Sequence, residues 1–406
     1  MRATEKMEKG VKRMMSKTDM EKDQVCMDKV LKTIEASDKE MVNFLERLVN
    51  IDTGPDNPDG IAEVAHLIGG KLAGINFFVE YLDYPGICTH LRAARKGTGN
   101  KEIMVIGHFD TLFPKGTAAM RPFTVKEGKA YGPGVLDMKG GITIALFALE
   151  ALYNSGWDDK NITVLFCGDE DTNHPYTDAP DLFEKAAHGK TAVFNMETAS
   201  AGQAVLIGRK GNMHPEIIVK GISAHAGADL SKGANAVVEL AHKIIAVNKL
   251  TDMAKGLTFN PGVISGGTVP NAVPDCAAVK IDMRYLTSAD RDSGIENLRK
   301  IADHAHIPGT SAELVNLREN MTVMEVTEGN KELYKIVKQQ GAKLGLDIQA
   351  KIGGGSSDSG WTVRAGAPTL CSMGAIGEFN HSDREYILID SLVERAKLLA
   401  LSINAV

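Results

Sequence analysis

Cysteine pairs are what the sequence most plainly lacks. The five cysteines, Cys26, Cys88, Cys167, Cys276 and Cys371, are odd in number and widely scattered, with no CxxC among them. This excludes a disulfide-stapled module and a zinc-finger or dithiol motif, and leaves reduced, mostly structural thiols. A membrane-length apolar run is missing too. The longest candidate, Ile142 to Leu152, contains Glu150 and stops short of the roughly 20 residues a span needs. Nor is there a basic excess: 46 Lys plus Arg against 52 Asp plus Glu give a formal charge of −6, which disfavours a nucleic-acid partner. The opening stretch from Met1 to Val25 mixes acids with bases and never forms the apolar segment of a secretory signal. It reads as a solvent-facing helix or frayed lead-in to a cytoplasmic protein with no membrane association. Tandem repeats, low-complexity linkers and a GxxxxGK[ST] phosphate loop are also absent.

What remains is ordinary globular composition, 43% hydrophobic and 24% charged, with 41 glycines for tight turns and close backbone approaches. At about 150 residues per domain, 406 residues predict two or three domains. Helical periodicity runs from Val25 to Val49 and from Gly60 to Ala73, and Gly140 to Tyr153 reads as a further helix. The apolar runs IMVIG from Ile103, ITVLFC from Ile162 and AVFNM around Phe194 read as buried strands, so the first half is an α/β core. The turn-rich GQAVLIGRKGN marks an exit near Gly211. Residues 214 to 325 alternate strands and helices again and can bury a core of their own. The tail holds a glycine and serine turn cluster, an apolar PTLCSMG passage and a terminal helix through REYILIDSLVERAKLLALSINAV.

Chemistry concentrates in a few short groups. GHFDTLFP follows IMVIG, and alternation puts His108 and Asp110 on one side, where Asp110 can orient a metal-ligating His108. Two polar residues in a solvent-facing turn are the plainer alternative. Asp137 in YGPGVLDMKGG is either a helix cap or a metal-bridging carboxylate. Asp169, Glu170 and Asp171 crowd the end of an apolar run, a costly arrangement unless they meet cations or solvent. Glu197 in FNMETA and His381 in EFNHSD supply one more acid and one more imidazole. Together these groups offer enough nitrogen and oxygen donors for two borderline divalent ions, zinc foremost.

GHFDTLFP, YGPGVLDMKGG, CGDED, FNMET, GISAHAG, GGTVPNAVPD, IDMR and FNHSD, in this order and spacing, resemble the dinuclear-zinc exopeptidase family of glutamate carboxypeptidase, acetylornithine deacetylase, succinyl-diaminopimelate desuccinylase and aminoacylase. The resemblance spans nearly the whole chain beyond the lead-in. It implies an α/β zinc-exopeptidase-like catalytic domain, residues 1–212 and 326–406, interrupted by an α+β lid and dimerisation domain, residues 213–325. It also implies two zinc ions per subunit, with Co2+ or Mn2+ as substitutes. His108, Asp137 and Glu197 form one ligand set; Asp137, Asp171 and His381 form the other. Glu170 becomes the general base that takes a proton from the attacking water, and Asp110 orients His108.

The same resemblance makes the protein a homodimer in which His225 reaches the neighbouring subunit's site and Asn271 helps position substrate. Arg284 becomes a clamp for a free α-carboxylate, a task its donor fork suits. The glycine-rich Gly353, Gly354 and Gly355 segment lies beside substrate, with Gly354 and Gly355 as contacts. One departure stands out. Family members often carry two consecutive glutamates where this chain has Glu170 followed by the shorter Asp171, so the second ion sits differently or binds more weakly unless the backbone compensates. The expected reaction is hydrolysis of an amide in a small peptide or N-acyl amino acid, releasing a C-terminal residue such as glutamate. The alternatives are an acetyl or succinyl deacylase and a noncatalytic metal-dependent peptide-binding or assembly protein.

Overall fold

The computed structural model describes residues 17–199 and 202–406, so most of the expected lead-in lies outside the described residues. Six strands form the main sheet in the order Phe78–Tyr84, Cys88–Arg95, Asn161–Cys167, Glu102–His108, Ala192–Asn195 and Thr369–Leu370. The first three are antiparallel neighbours, and the last four run parallel. Parallel strands covered on both faces carry apolar residues without alternation. Ile103 to Ile106 and Val164 to Cys167 follow that rule, every residue buried.

The helix Gly140–Asn154 is apolar nearly all round because it is enclosed, packed between the sheet and the helices Lys17–Ala36, Asp38–Val49 and Asp390–Ala405. Gly141 lets it start against the Met196 carbonyl oxygen, which a Cβ would overlap. No helix among the described residues is long and apolar enough to cross a membrane.

Three local expectations change. The periodic stretch from Val25 to Val49 is two helices that part at Ser37. The exit segment GQAVLIGRKGN holds a strand, Ala204–Arg209, which pairs in parallel with Gln349–Gly353 of the returning tail. The terminal helix begins only at Asp390, because Tyr386–Leu388 instead joins a small antiparallel sheet with Gly377–Glu378, Lys129–Tyr131 and Thr124–Lys126.

Between Gly211 and Met321 a second, antiparallel sheet runs Ser311–Val315, Glu216–Lys220, Cys276–Tyr285, Gly211–Met213 and Glu319–Met321, with Thr258–Gly266 also paired to Cys276–Tyr285. The helices Ala236–Asn248 and Ser288–Asp303, capped by Asn235 and Thr287, cover one face. There Leu240, Val247 and Leu298 meet Val279, Ile281 and Met283. Strand alternation sends Asp282 and Arg284 to the opposite face. The molecule is thus an α/β unit with an α+β unit inserted into it.

Candidate active site

The chemistry-bearing residues gather where the parallel strands end, the edge at which open α/β sheets bind ligands. His108 is the last residue of Glu102–His108, Asp169 to Asp171 follow Asn161–Cys167, and Glu197 follows Ala192–Asn195. Asp137 lies in the irregular turn Val135–Lys139 ahead of the buried helix, and His381 in the turn before Tyr386–Leu388.

Asp137 stands at the centre. Its Oδ1 lies 3.2 Å from His108 Nε2 and its Oδ2 3.1 Å from His381 Nε2, so each oxygen faces a different imidazole. Around Oδ1, Glu197 Oε1 is 3.6 Å from the same His108 nitrogen. Around Oδ2, Asp171 Oδ1 is 3.2 Å from His381 Nε2. Two groups of three donors result, His108 with Asp137 and Glu197, and Asp137 with Asp171 and His381. The shorter Asp171 reaches its group because Asp110 holds the turn: its two oxygens accept the Glu170 and Asp171 amides at 3.1 and 2.9 Å. Asp110 Oδ1 also faces His108 Nδ1 at 3.3 Å. Glu170 Oε2 is 3.8 Å from His108 Nε2 and borders both groups.

Five carboxylates, Asp110, Asp137, Glu170, Asp171 and Glu197, share this space with His108, His381 and Arg209. Burial, reinforced by Glu197, Asp358 and Asp171 against the pull of His108, lifts Glu170 well above the usual carboxylate range. Burial likewise raises Asp171, to about 6. Hydrogen bonds that the His381 ring donates to Asp137 and Asp171 push it up to about 11, with burial opposing. Burial pulls the His108 ring down, but Glu170, Asp110 and Asp137 outweigh it and raise the ring well above its ordinary value. The protein alone therefore holds extra protons here, and divalent cations would displace them. The mixed imidazole and carboxylate donors fit a pair of zinc ions sharing Asp137.

The family described as peptidase family M20/M25/M40 matches residues 104–405. This chain belongs to it. Carboxypeptidase G2 of Pseudomonas sp. is 32% identical over 369 residues, 89% of this chain and 88% of that protein. Succinyl-diaminopimelate desuccinylase of Gluconacetobacter diazotrophicus is 27% identical over 360 residues, covering 83% and 88%. The fold matches aminopeptidase PepT of Bacillus cereus with a TM-score of 0.76 at 19% identity, over 91% of this chain and 98% of that one. The chain is accordingly a metal-dependent hydrolase of the M20 family.

The M20 cleft measures roughly 310 Å3, and both units of the molecule contribute to it. Arg284 lines it from the inserted sheet, but Nε and Nη2 already donate to the two Asp282 oxygens at 2.7 and 2.8 Å. Gly355 lines it and Gly354 is absent from its wall. His225 and Asn271 lie elsewhere in the protomer, both exposed on adjoining loops joined by the Ala226 amide donating to the Asn271 carbonyl at 3.0 Å.

Three contributors were not foreseen. Arg209, at the end of Ala204–Arg209, points its Nη1 at Glu197 Oε2, 3.6 Å away, and its Nε donates to the Gly355 carbonyl at 2.8 Å. Asn380 Nδ2 donates to Asp137 Oδ2 at 2.9 Å. Buried Glu385 accepts the Gly134, Leu136 and Asp137 amides at 3.1, 2.8 and 2.9 Å and so fixes the turn that presents Asp137.

Proposed function

We propose that the protein hydrolyses the amide bond of a small peptide whose C-terminal amino acid is released, with glutamate as the first candidate. The observation that carries this reading is the placement of Glu170 beside both donor groups in a cleft that also presents Arg209 and Arg284. A free carboxylate on the departing residue would find two guanidinium groups there, one of them tethered to Asp282. The 32% identity to carboxypeptidase G2 supports the same choice.

In this reading His108, Asp137 and Glu197 hold one zinc ion and Asp137, Asp171 and His381 the other. When bound, the ions supply Lewis acidity toward the substrate carbonyl and make water a better nucleophile at neutral pH. Asp110 fixes the His108 ring so that Nε2 faces the cleft. Glu170, its carboxyl held high by burial, takes a proton from the attacking water and returns it to the departing amine. Arg284, Arg209 and Gly355 form the carboxylate-binding side.

His225 and Asn271 serve the neighbouring subunit of a homodimer. The His225 Nδ1 accepts the Gly227 and Ala228 amides, both at 3.1 Å, which places its proton on Nε2 and keeps that nitrogen available as a donor. A tetrahedral oxygen is the partner such a donor suits. Among the described residues, Thr258–Gly266 pairs along one edge only, with Val263 and Ile264 exposed, which suits a second copy of the chain. The assembly is cytoplasmic.

The second reading is an N-acyl amino acid deacylase, favoured by the likeness to a desuccinylase and to the acetylornithine deacetylase of Vibrio parahaemolyticus, 28% identical over 276 residues, 62% of this chain and 68% of that protein. Mass-spectrometric turnover of glutamyl dipeptides, acetyl amino acids and succinyl amino acids separates the two. Faster release of a C-terminal amino acid from the dipeptides supports the peptidase. Preferential loss of an acyl group would replace it with the deacylase.

A further inference from the structure

A second collection of metal-ligating side chains lies on the inserted unit, on the helix-covered side of its sheet and so on the face opposite Asp282 and Arg284. His242 projects from Ala236–Asn248, and His304 and His306 follow Ser288–Asp303. All three are exposed. The His242 and His306 rings stack at 4.6 Å with 7° between their planes, and the His304 ring meets His306 edge-on, also at 4.6 Å.

What distinguishes this group from surface histidines in general is the carboxylate beneath it. Glu239, one turn before His242, is fully buried. Its Oε2 accepts the His306 and Ile307 amides at 2.8 and 2.7 Å, pinning the loop, and its Oε1 lies 3.5 Å from His306 Nδ1. The same Oε1 is 3.0 Å from Lys243 Nζ, which also donates to the Ile301, Ala302 and His304 carbonyls. A carboxylate behind one ring nitrogen is the side from which metal-ligating histidines are oriented. At 3.5 Å Glu239 Oε1 faces the Nδ1 edge of His306 without a hydrogen bond to it, which leaves Nε2 as the nitrogen for a metal.

We propose that His242, His304 and His306 bind one borderline transition-metal cation of the Zn2+ or Ni2+ class, separately from the cleft. Zinc sits about 2.0–2.1 Å from imidazole nitrogen, so the three nitrogens must converge more closely than the present ring spacing. The exposed His242 and His304 rings can supply that by side-chain rotation, while Glu239 anchors His306. Imidazoles without carboxylate ligands select such an ion over Mg2+ or Ca2+. Bound there, the cation would cross-link the helix Ala236–Asn248 to the loop after Ser288–Asp303 and stabilise the inserted unit in proportion to its occupancy.

Equilibrium dialysis of the full-length protein against zinc chloride, followed by elemental analysis, tests the site. Wild type should saturate with one ion per chain more than H304A/H306A, while the variant keeps its hydrolysis and its far-ultraviolet dichroism. Asp137→Ala should lose cleft ions and retain the additional one. Equal saturation of wild type and H304A/H306A overturns the proposal. If that variant fails to fold, H242A, on an exposed helix face, replaces it with the same expected deficit. Cu2+ loaded onto Asp137→Ala should give an electron paramagnetic resonance spectrum with coupling to three nitrogens, falling to two in the background of H242A. A spectrum unchanged by H242A also overturns the proposal.

Discussion

Two histidine–carboxylate clusters sit at the same end of the main sheet, built from the same residue types, and only one of them is complete. In the closed cluster, His174 is enclosed between Asp169 and Asp358, with Nδ1 2.6 Å from Asp169 Oδ1 and Nε2 2.8 Å from Asp358 Oδ1. The remaining oxygens are matched as well: the Thr177 hydroxyl donates to Asp169 Oδ2 at 2.7 Å and the Cys167 thiol to Asp358 Oδ2 at 3.2 Å. Burial opposes charge on His174, but Asp358 and Asp169 prevail and hold its ring well above the ordinary imidazole range. In the open cluster five carboxylates meet three positive groups, a larger deficit than the two carboxylates to one imidazole of the closed cluster, and the missing charge must come from outside the chain. Unmatched valence, more than residue type, marks the site that takes metal.

Removing the external charge is the strongest test of that contrast. Chelation, or Asp137→Ala, should lower hydrolysis by about 10^3-fold or more, since metal polarisation supplies several kcal/mol of transition-state stabilisation. Metal content by elemental analysis should fall in parallel while the protein stays folded. Retention of both ions in Asp137→Ala would break the comparison. Next in size, Glu170→Gln should cost about 10^2- to 10^4-fold in kcat with both ions retained, read by steady-state kinetics beside metal analysis.

The closed cluster should answer in a different quantity. His174→Gln leaves buried carboxylates without their cation and should cost about 3–5 kcal/mol in urea unfolding, with the metal count unchanged. Loss of metal at unaltered stability would merge the two clusters into one site. The inserted unit provides the mildest case. Burial tends to raise Glu239, yet the Lys243 ammonium and the amides of Ile307 and His306 bring it down to about 2. A depressed folded value means its stabilisation is present above the ordinary carboxylate range near 4.5 and disappears as pH falls toward 2. Acid unfolding of Glu239→Gln should therefore lack a component of up to about 3 kcal/mol seen in wild type over that window.

The open cluster was legible because its residues stand in short groups directly after apolar runs, and strand ends deliver them to one edge. His108, Glu170, Asp171 and Glu197 all follow that pattern. The closed cluster was not. Asp169 looks equivalent to its neighbours in CGDED, but the turn aims it at His174, away from the cleft, and adjacency along the chain cannot say which way a turn residue faces. Arg209 was hidden in a segment read as turn-rich. Its signal was a charged residue closing the apolar run AVLIG, and the strand partner that confirms a strand there lies far away at Gln349–Gly353. Glu385 offered no local cue, since its role is to accept amides from a turn about 250 positions earlier.

That last contact bears on when the protein can work. The turn presenting Asp137 is held by Glu385, and His381 comes from the same late segment. A ribosome that has emitted the chain through residue 325, with five of the six main-sheet strands, Glu170 and the inserted unit, has still produced an inert chain. Competence arrives only once the segment carrying His381 and Glu385 has been made and has folded back onto the Asp137 turn, well after Glu170 and the inserted unit, which spares the nascent polypeptide's surroundings from a half-built hydrolase.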